Sequence, residues 1–220
     1  MENPQGTNKD FLSVQKKETD RVEAFSDGVF AIAITLLVLD LKVPAPTAVS
    51  AAGGLGAALV QRWPSYLAFF ISFVNILIMW VNHHNVFSHI RRTDGFFLFL
   101  NGFLLMTVTA VPFPTALLSE YIKSSHAGLA AGIFAGSILM NCLSFNFLWA
   151  YTSKNNRLLE ENTNPAVVSK VRFNGLLGLP FYLLAVILAF YSVTVSIGIC
   201  FALTVFFAVT ASVHHLLPGA

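Results

Sequence analysis

The sequence predicts an all-α, polytopic membrane protein with six transmembrane helices per subunit, and three observations carry that prediction. Of 220 residues, 55% are hydrophobic and only 11% are charged. A soluble domain carries roughly 25% charged residues, so this chain cannot coat a water-facing surface of its own size. The charges are also segregated: residues 63–90, 95–119, 124–153 and 173–220 contain no Asp, Glu, Lys or Arg, in runs of 28, 25, 30 and 48 residues. A spanning helix needs about 20 mostly apolar residues, so the first three runs hold one span each and the last holds two. Phe25 to Val43 supplies the sixth, apolar from Gly28 to Leu39 and charged at its borders.

Taken in order, residues 1–20 form a polar tail, too long and too acidic for the start of a cleaved signal peptide. Asp27 would also interrupt such a peptide, so the first span is expected to be retained. Span one covers about 25–41 and is stopped by Pro44 and Pro46. Residues 47–62 form an Ala/Gly-rich connection with room for a short interfacial helix. Its Gly54-Leu55-Gly56 follows no strand and lacks the third glycine of a nucleotide-binding loop. Span two is expected over 64–87, span three over 96–118 and span four over 127–151. The connection 152–172 is the longest on its side. Spans five and six, 173–190 and 195–215, are joined by a short turn. Residues 21–220 thus read as one six-span transmembrane domain.

Basic residues in short loops stay cytoplasmic. With the amino terminus inside, ten Lys and Arg fall inside (Lys9, Lys16, Lys17, Arg21, Arg91, Arg92, Lys154, Arg157, Lys170, Arg172) and three outside (Lys42, Arg62, Lys123). Both termini are therefore expected in the cytoplasm.

Polar groups inside a bilayer are costly and need a partner, water or a task. Arg21 and Asp27 lie six residues apart, roughly 240° around a helix, so they look for partners on other helices. Span two ends with Trp80, Asn82, His83, His84 and Asn85 at the depth of Asp27. Ser26 and Asp27 are accordingly expected to hydrogen-bond to His83 or His84 and to the Trp80 indole, locking span one to span two. The alternative leaves both histidines among hydrated headgroups. Adjacent histidines point about 100° apart, which argues against a metal site on the pair. His214 and His215 are expected at the interface, and His89 and His126 in loops. Cys142 and Cys200 fall inside apolar spans and read as small buried residues rather than a disulfide. Gly128, Gly132 and Gly136 recur every fourth residue, a close-packing face expected to serve helices of one subunit rather than a subunit interface. No HExxH, GxSxG, cysteine pair or carboxylate pair occurs, so nothing recommends an enzyme, a cofactor or a resident metal. No basic water-soluble surface suggests nucleic acid.

Ile32, Leu36 and Leu39 share one stripe of span one with Thr35 beside them. Such a stripe can face lipid or neighbouring helices, or form stacked apolar rings around a symmetry axis that gate ions by dewetting. Periodicity leaves both open. The run from Arg21 through Phe25-Ser26-Asp27 to Leu39, with Trp80-Val-Asn-His83-His84 closing span two, resembles the bacterial branch of the lysosomal and endosomal potassium channel family, transmembrane protein 175. The resemblance covers nearly the whole chain in span layout, and span one and the end of span two in specific motifs. It implies a potassium channel in the bacterial plasma membrane: a homotetramer with the first helix of each subunit lining a central pore. Ile32 would be the tight apolar constriction, Leu36 and Leu39 further rings, and Thr35 a ring of hydroxyls aiding potassium selectivity. Arg21, Phe25, Ser26, Asp27, Trp80, His83 and His84 would hold that helix in place. No TVGYG-like filter, arginine-repeat voltage sensor or ATP motif is present, in keeping with passive flow.

Two rival readings remain. A proton-coupled secondary transporter would use Asp27 and the histidines as a relay, with Pro180 breaking span five. A scaffold would bind a partner through 152–172, although the mixed charges there, Lys154, Arg157, Glu160, Glu161, Lys170 and Arg172, read as a solvated surface.

Overall fold

A computed structural model of the chain describes residues 4–160 and 163–216, with side chains over 17–160 and 163–210. Lys9, Lys16, Glu161, His214 and His215 have side chains outside that range. The order is α1 (Pro4–Leu36) with a 3₁₀ turn (Leu37–Asp40), α2 (Pro46–Ala52), α3 (Leu55–Gln61), α4 (Trp63–Phe87), α5 (Gly95–Thr109), α6 (Pro112–Tyr121), α7 (Ala127–Ser153), α8 (Pro165–Leu188) and α9 (Val193–Leu216). Among the described residues, six helical segments are long and apolar enough to cross a membrane, over 17–40, 63–87, 95–121, 127–156, 165–188 and 193–210. The chain is a multi-pass membrane protein.

Several boundaries move from the expected ones, each for a local reason. α1 passes through residue 20 without a break, so the polar tail and the first span share one helix. The third span, expected as one helix over 96–118, is two. Pro112 has no N–H to bond the fourth residue back, and the chain turns at Ala110-Val111 before α6 starts. α8 starts at Pro165 rather than 173, because Asn164 accepts from Ala166 N at 2.9 Å and Pro165 suits a first helical turn. Lys170 and Arg172 therefore sit inside the helix, and the 152–172 connection is shorter than expected. Pro180 lies within α8 without ending it, which removes the broken helix that a transporter reading draws on. The 47–62 connection forms two short helices, α2 and α3.

Two apolar clusters hold the bundle. One gathers Phe30, Ala33 and Leu37 of the first span with Phe97, Leu104, Leu148 and Trp149; the other gathers Ile71, Leu118, Phe134, Ile138, Tyr182 and Ala185. Hydroxyl bonds tie helices together beside each cluster, Ser72 of α4 to Thr115 of α6 at 2.7 Å and Thr107 of α5 to Ser144 of α7 at 3.1 Å. The glycine face of α7 packs within the chain. A Cβ on Gly128 would stand 3.1 Å from the Ala189 carbonyl and one on Gly132 3.2 Å from the Phe190 ring, whereas Gly136 has open space.

At the end of the bundle where α5 begins, Asp94 caps that helix, accepting from Phe97 N at 2.8 Å, the Tyr151 hydroxyl at 2.7 Å and Arg157 Nη2 at 2.7 Å. Desolvation pushes its carboxyl upward, but the three donors outweigh it and hold the group below the usual carboxylate range. A depressed pKa stabilises the fold above the unfolded-state value of about 3.9, and that contribution is lost as pH falls through the folded value. Asp94→Ala should therefore cost about 1 kcal/mol at neutral pH, typical of a lost cap. Thermal melts from pH 7 to pH 3 check this: the difference between variant and parent should be constant from pH 7 to pH 5 and shrink below pH 4.

Candidate functional site

The first helix divides into two faces. Ser26, Phe30, Ala33 and Leu37 recur at helical spacing and are buried, the first three on the helix that packs against α4 and α5 and Leu37 on the 3₁₀ turn that packs against α4 and α6. Phe25, Ile32, Leu36 and Leu39 lie on the other side, 66%, 60%, 41% and 68% exposed, and no other part of the described chain covers them. Thr35 is exposed beside them. Its hydroxyl donates to the carbonyls of Ala31 at 3.0 Å and Ile32 at 2.9 Å. With the hydrogen engaged by the backbone, the oxygen has lone pairs left to offer a cation.

The buried face is fastened by a polar clip at the Ser26 end. Trp80 Nε1 donates to Asp27 Oδ1 at 2.8 Å, the bond expected from the sequence. Ser26 differs. Its hydroxyl reaches neither His83 nor His84: it donates to the Val22 carbonyl at 2.8 Å and accepts from Asn101 Nδ2 at 3.0 Å. Asn101 of α5 then meets His83 Nε2 through Oδ1 at 2.9 Å. Ser26 joins His83 through a third helix, because the Asn101 carboxamide stands between them with its nitrogen on one and its oxygen on the other. His84 turns the other way, pairing with Glu23 Oε1 at 2.8 Å and stacking on Trp80 with ring centroids 6.0 Å apart.

The hydrogens in this clip follow from elimination. The single Ser26 proton goes to Val22, so Ser26 must accept from the Asn101 amide, which turns the amide oxygen toward His83. His83 therefore donates through Nε2–H. Its Nδ1 is buried with no partner, and the ring is wedged against Phe87 at 4.3 Å and Phe30 at 5.3 Å. His83 is fully buried while His84 is exposed, so the two rings diverge as adjacent helical positions must.

Arg21 and Phe25 stand outside this network. Both are exposed and border an open groove between α1 and α5 with Glu18 and Asp94. Arg21 makes no ion pair among the described residues. Two participants escaped the sequence reading, Asn101 and Glu23. The signal for Asn101 was present, since it is an isolated carboxamide in the middle of a charge-free run. Among the described residues, no group of three His, Cys, Asp or Glu is placed to hold a metal.

Comparison with known proteins places this geometry. The family of the endosomal/lysosomal potassium channel TMEM175 matches residues 21–112, which hold every residue of the clip and of the exposed face. A potassium channel of Chamaesiphon minutus is 48% identical over 198 residues, 90% of this chain and 97% of the relative. One of Streptomyces collinus is 44% identical over 182 residues, 82% of this chain and 87% of the relative. The crystal structure of a lysosomal potassium-selective channel TMEM175 homolog from C. minutus superposes with a TM-score of 0.81 at 48% identity, covering 89% of this chain and 98% of that one.

Proposed function

Because the chain belongs to the TMEM175 potassium channel family, we propose that it is a potassium-permeable channel, a homotetramer in the plasma membrane whose subunits each turn the first helix toward a central pore. One observation carries the reading: α1 is locked on one face by the Ser26–Asn101–His83 clip and left bare along Phe25, Ile32, Leu36 and Leu39 on the other. Four bare faces around an axis make stacked apolar rings, with Ile32 as the tightest and Leu36 and Leu39 beyond it. Water leaves such a constriction readily, so an ion crosses it only when the throat widens enough to hydrate. Thr35, one turn from Ile32, supplies hydroxyl oxygens that replace part of a potassium ion's hydration shell. Both termini face the cytoplasm by the distribution of basic residues.

Purified protein reconstituted in vesicles tests this reading. Potassium efflux down its gradient should rise linearly with concentration, exceed sodium efflux and need no pH gradient. A chemically cross-linked sample should run at four subunits. Saturable flux that collapses with the pH gradient would instead establish the transporter reading with Asp27 and the histidines.

A further inference from the structure

On the far side of α4 from α1 lies a cavity of about 350 Å³ bounded by α4, α7, α8 and α9. It shares no residue with the clip. α4 turns Trp80, His83 and Phe87 toward α1 and α5, while Asn75, Asn82 and Asn85, spaced by seven and three residues, fall on the opposite stripe and line the cavity with His89 just past the helix end. α8 contributes Lys170 and, one turn on, Asn174; α7 contributes Asn141.

Carboxamides at this depth are costly unless something satisfies them. Asn141 is only 6% exposed, and its Oδ1 is buried with no hydrogen-bond partner. The oxygen is closed over within the wall, so a donor reaches it once the Asn141 side chain turns toward the cavity it lines. Lys170, near the start of α8, is the one formal cation among the described lining residues, and no carboxylate lines the space to neutralise it. Phe145, Phe207 and Ile138 complete the walls. From Lys170 to Tyr182, both in the lining, α8 climbs twelve residues, about 18 Å at 1.5 Å per residue. An occupant matching these walls is elongated and mostly apolar, carries an anionic group for Lys170, and holds a hydroxyl farther in for Asn141.

We propose that the cavity binds an anionic, hydroxyl-bearing amphiphile with a single acyl chain, a glycerophosphate lipid being the simplest of that class. The phosphate sits at Lys170 and Asn174, the glycerol hydroxyl donates to Asn141 Oδ1, and the chain lies along Phe145 and Phe207. The site faces away from the proposed pore face and does not depend on conduction, so it stands or falls separately.

Thermal melts of the full-length protein in detergent test it with lysophosphatidylglycerol as the probe. The melting midpoint should rise saturably with that lipid. Lysophosphatidylcholine, whose headgroup is zwitterionic, should act at least fivefold more weakly. Lys170→Gln should raise the half-maximal concentration at least fivefold. Asn141→Leu, which removes the orphaned acceptor, should leave the lipid-free midpoint unchanged or higher yet abolish the shift. Asn174→Leu serves the same purpose from the opposite wall should Asn141→Leu fail to fold. Equal shifts from the two lipids, or a shift that survives in the variants, would overturn the proposal. So would a full shift from glycerol 3-phosphate alone, since the ligand would then be a free phosphate ester rather than an amphiphile.

Discussion

Replacing Ile32 by asparagine is expected to raise sodium flux through reconstituted vesicles at least tenfold while potassium flux changes less, so that the preference between the two ions falls. The four isoleucines of the proposed constriction hold water out, and an asparagine ring offers oxygens and room for a hydrated ion. A tenfold change corresponds to a barrier lowered by about 1.4 kcal/mol. Ile32→Ala, which widens the ring without adding polarity, should fall between parent and asparagine. The thermal midpoint should hardly move in either, because Ile32 is 60% exposed within its own chain. That last point separates a pore from a lipid contact. A lipid-facing asparagine would destabilise the protein and leave selectivity as it was, and parent-like selectivity in both variants would remove Ile32 from the conduction path.

Asn101→Ala should produce the largest loss of stability. An interhelical hydrogen bond in a bilayer is worth on average only about 0.6 kcal/mol, so deleting one as such would matter little. Here deletion strands the His83 Nε2–H in a site with 0% exposure and takes from Ser26 its only donor. A stranded buried donor costs about 1–3 kcal/mol. A 2 kcal/mol loss in a chain of this size lowers the melting midpoint by about 4–8 °C. The contrasting variant removes both partners: His83→Phe with Asn101→Leu leaves no stranded N–H, keeps a ring against Phe87 and should recover most of the loss. A single variant that melts like the parent, or losses that simply add in the pair, would show that the clip does not fasten α1.

The spans were legible because charge is excluded from a bilayer so strongly that its absence marks the boundaries, and the starts of the first and fifth spans aside they fall within a few residues of those expected. What stayed hidden was local or pairwise. Pro112 and Pro114 sit in the run 95–119 and announce its break, yet an apolar run is unbroken by composition alone. Asn164 with Pro165 is a helix-start signal that the nearby Lys170 and Arg172 obscured. In the site, matched depth gave Asp27 and Trp80 because both point across one seam. Depth could not give Asn101 between Ser26 and His83, or Glu23 beneath His84, since which rotamers meet depends on helix rotation. The bare face of α1 was visible as a stripe, but only the packed chain shows that no described residue of its own covers it.

The fastening of α1 is lopsided. The hydrogen bonds of the clip lie between Glu23 and Asp27, whereas farther along Phe30, Ala33 and Leu37, with Val29 and Ile34 beside them, hold it by contacts that have no preferred angle. Each such helix is a mast stepped firmly at its foot with a top that can lean at little cost, and in the proposed tetramer four leaning together would set the aperture between them.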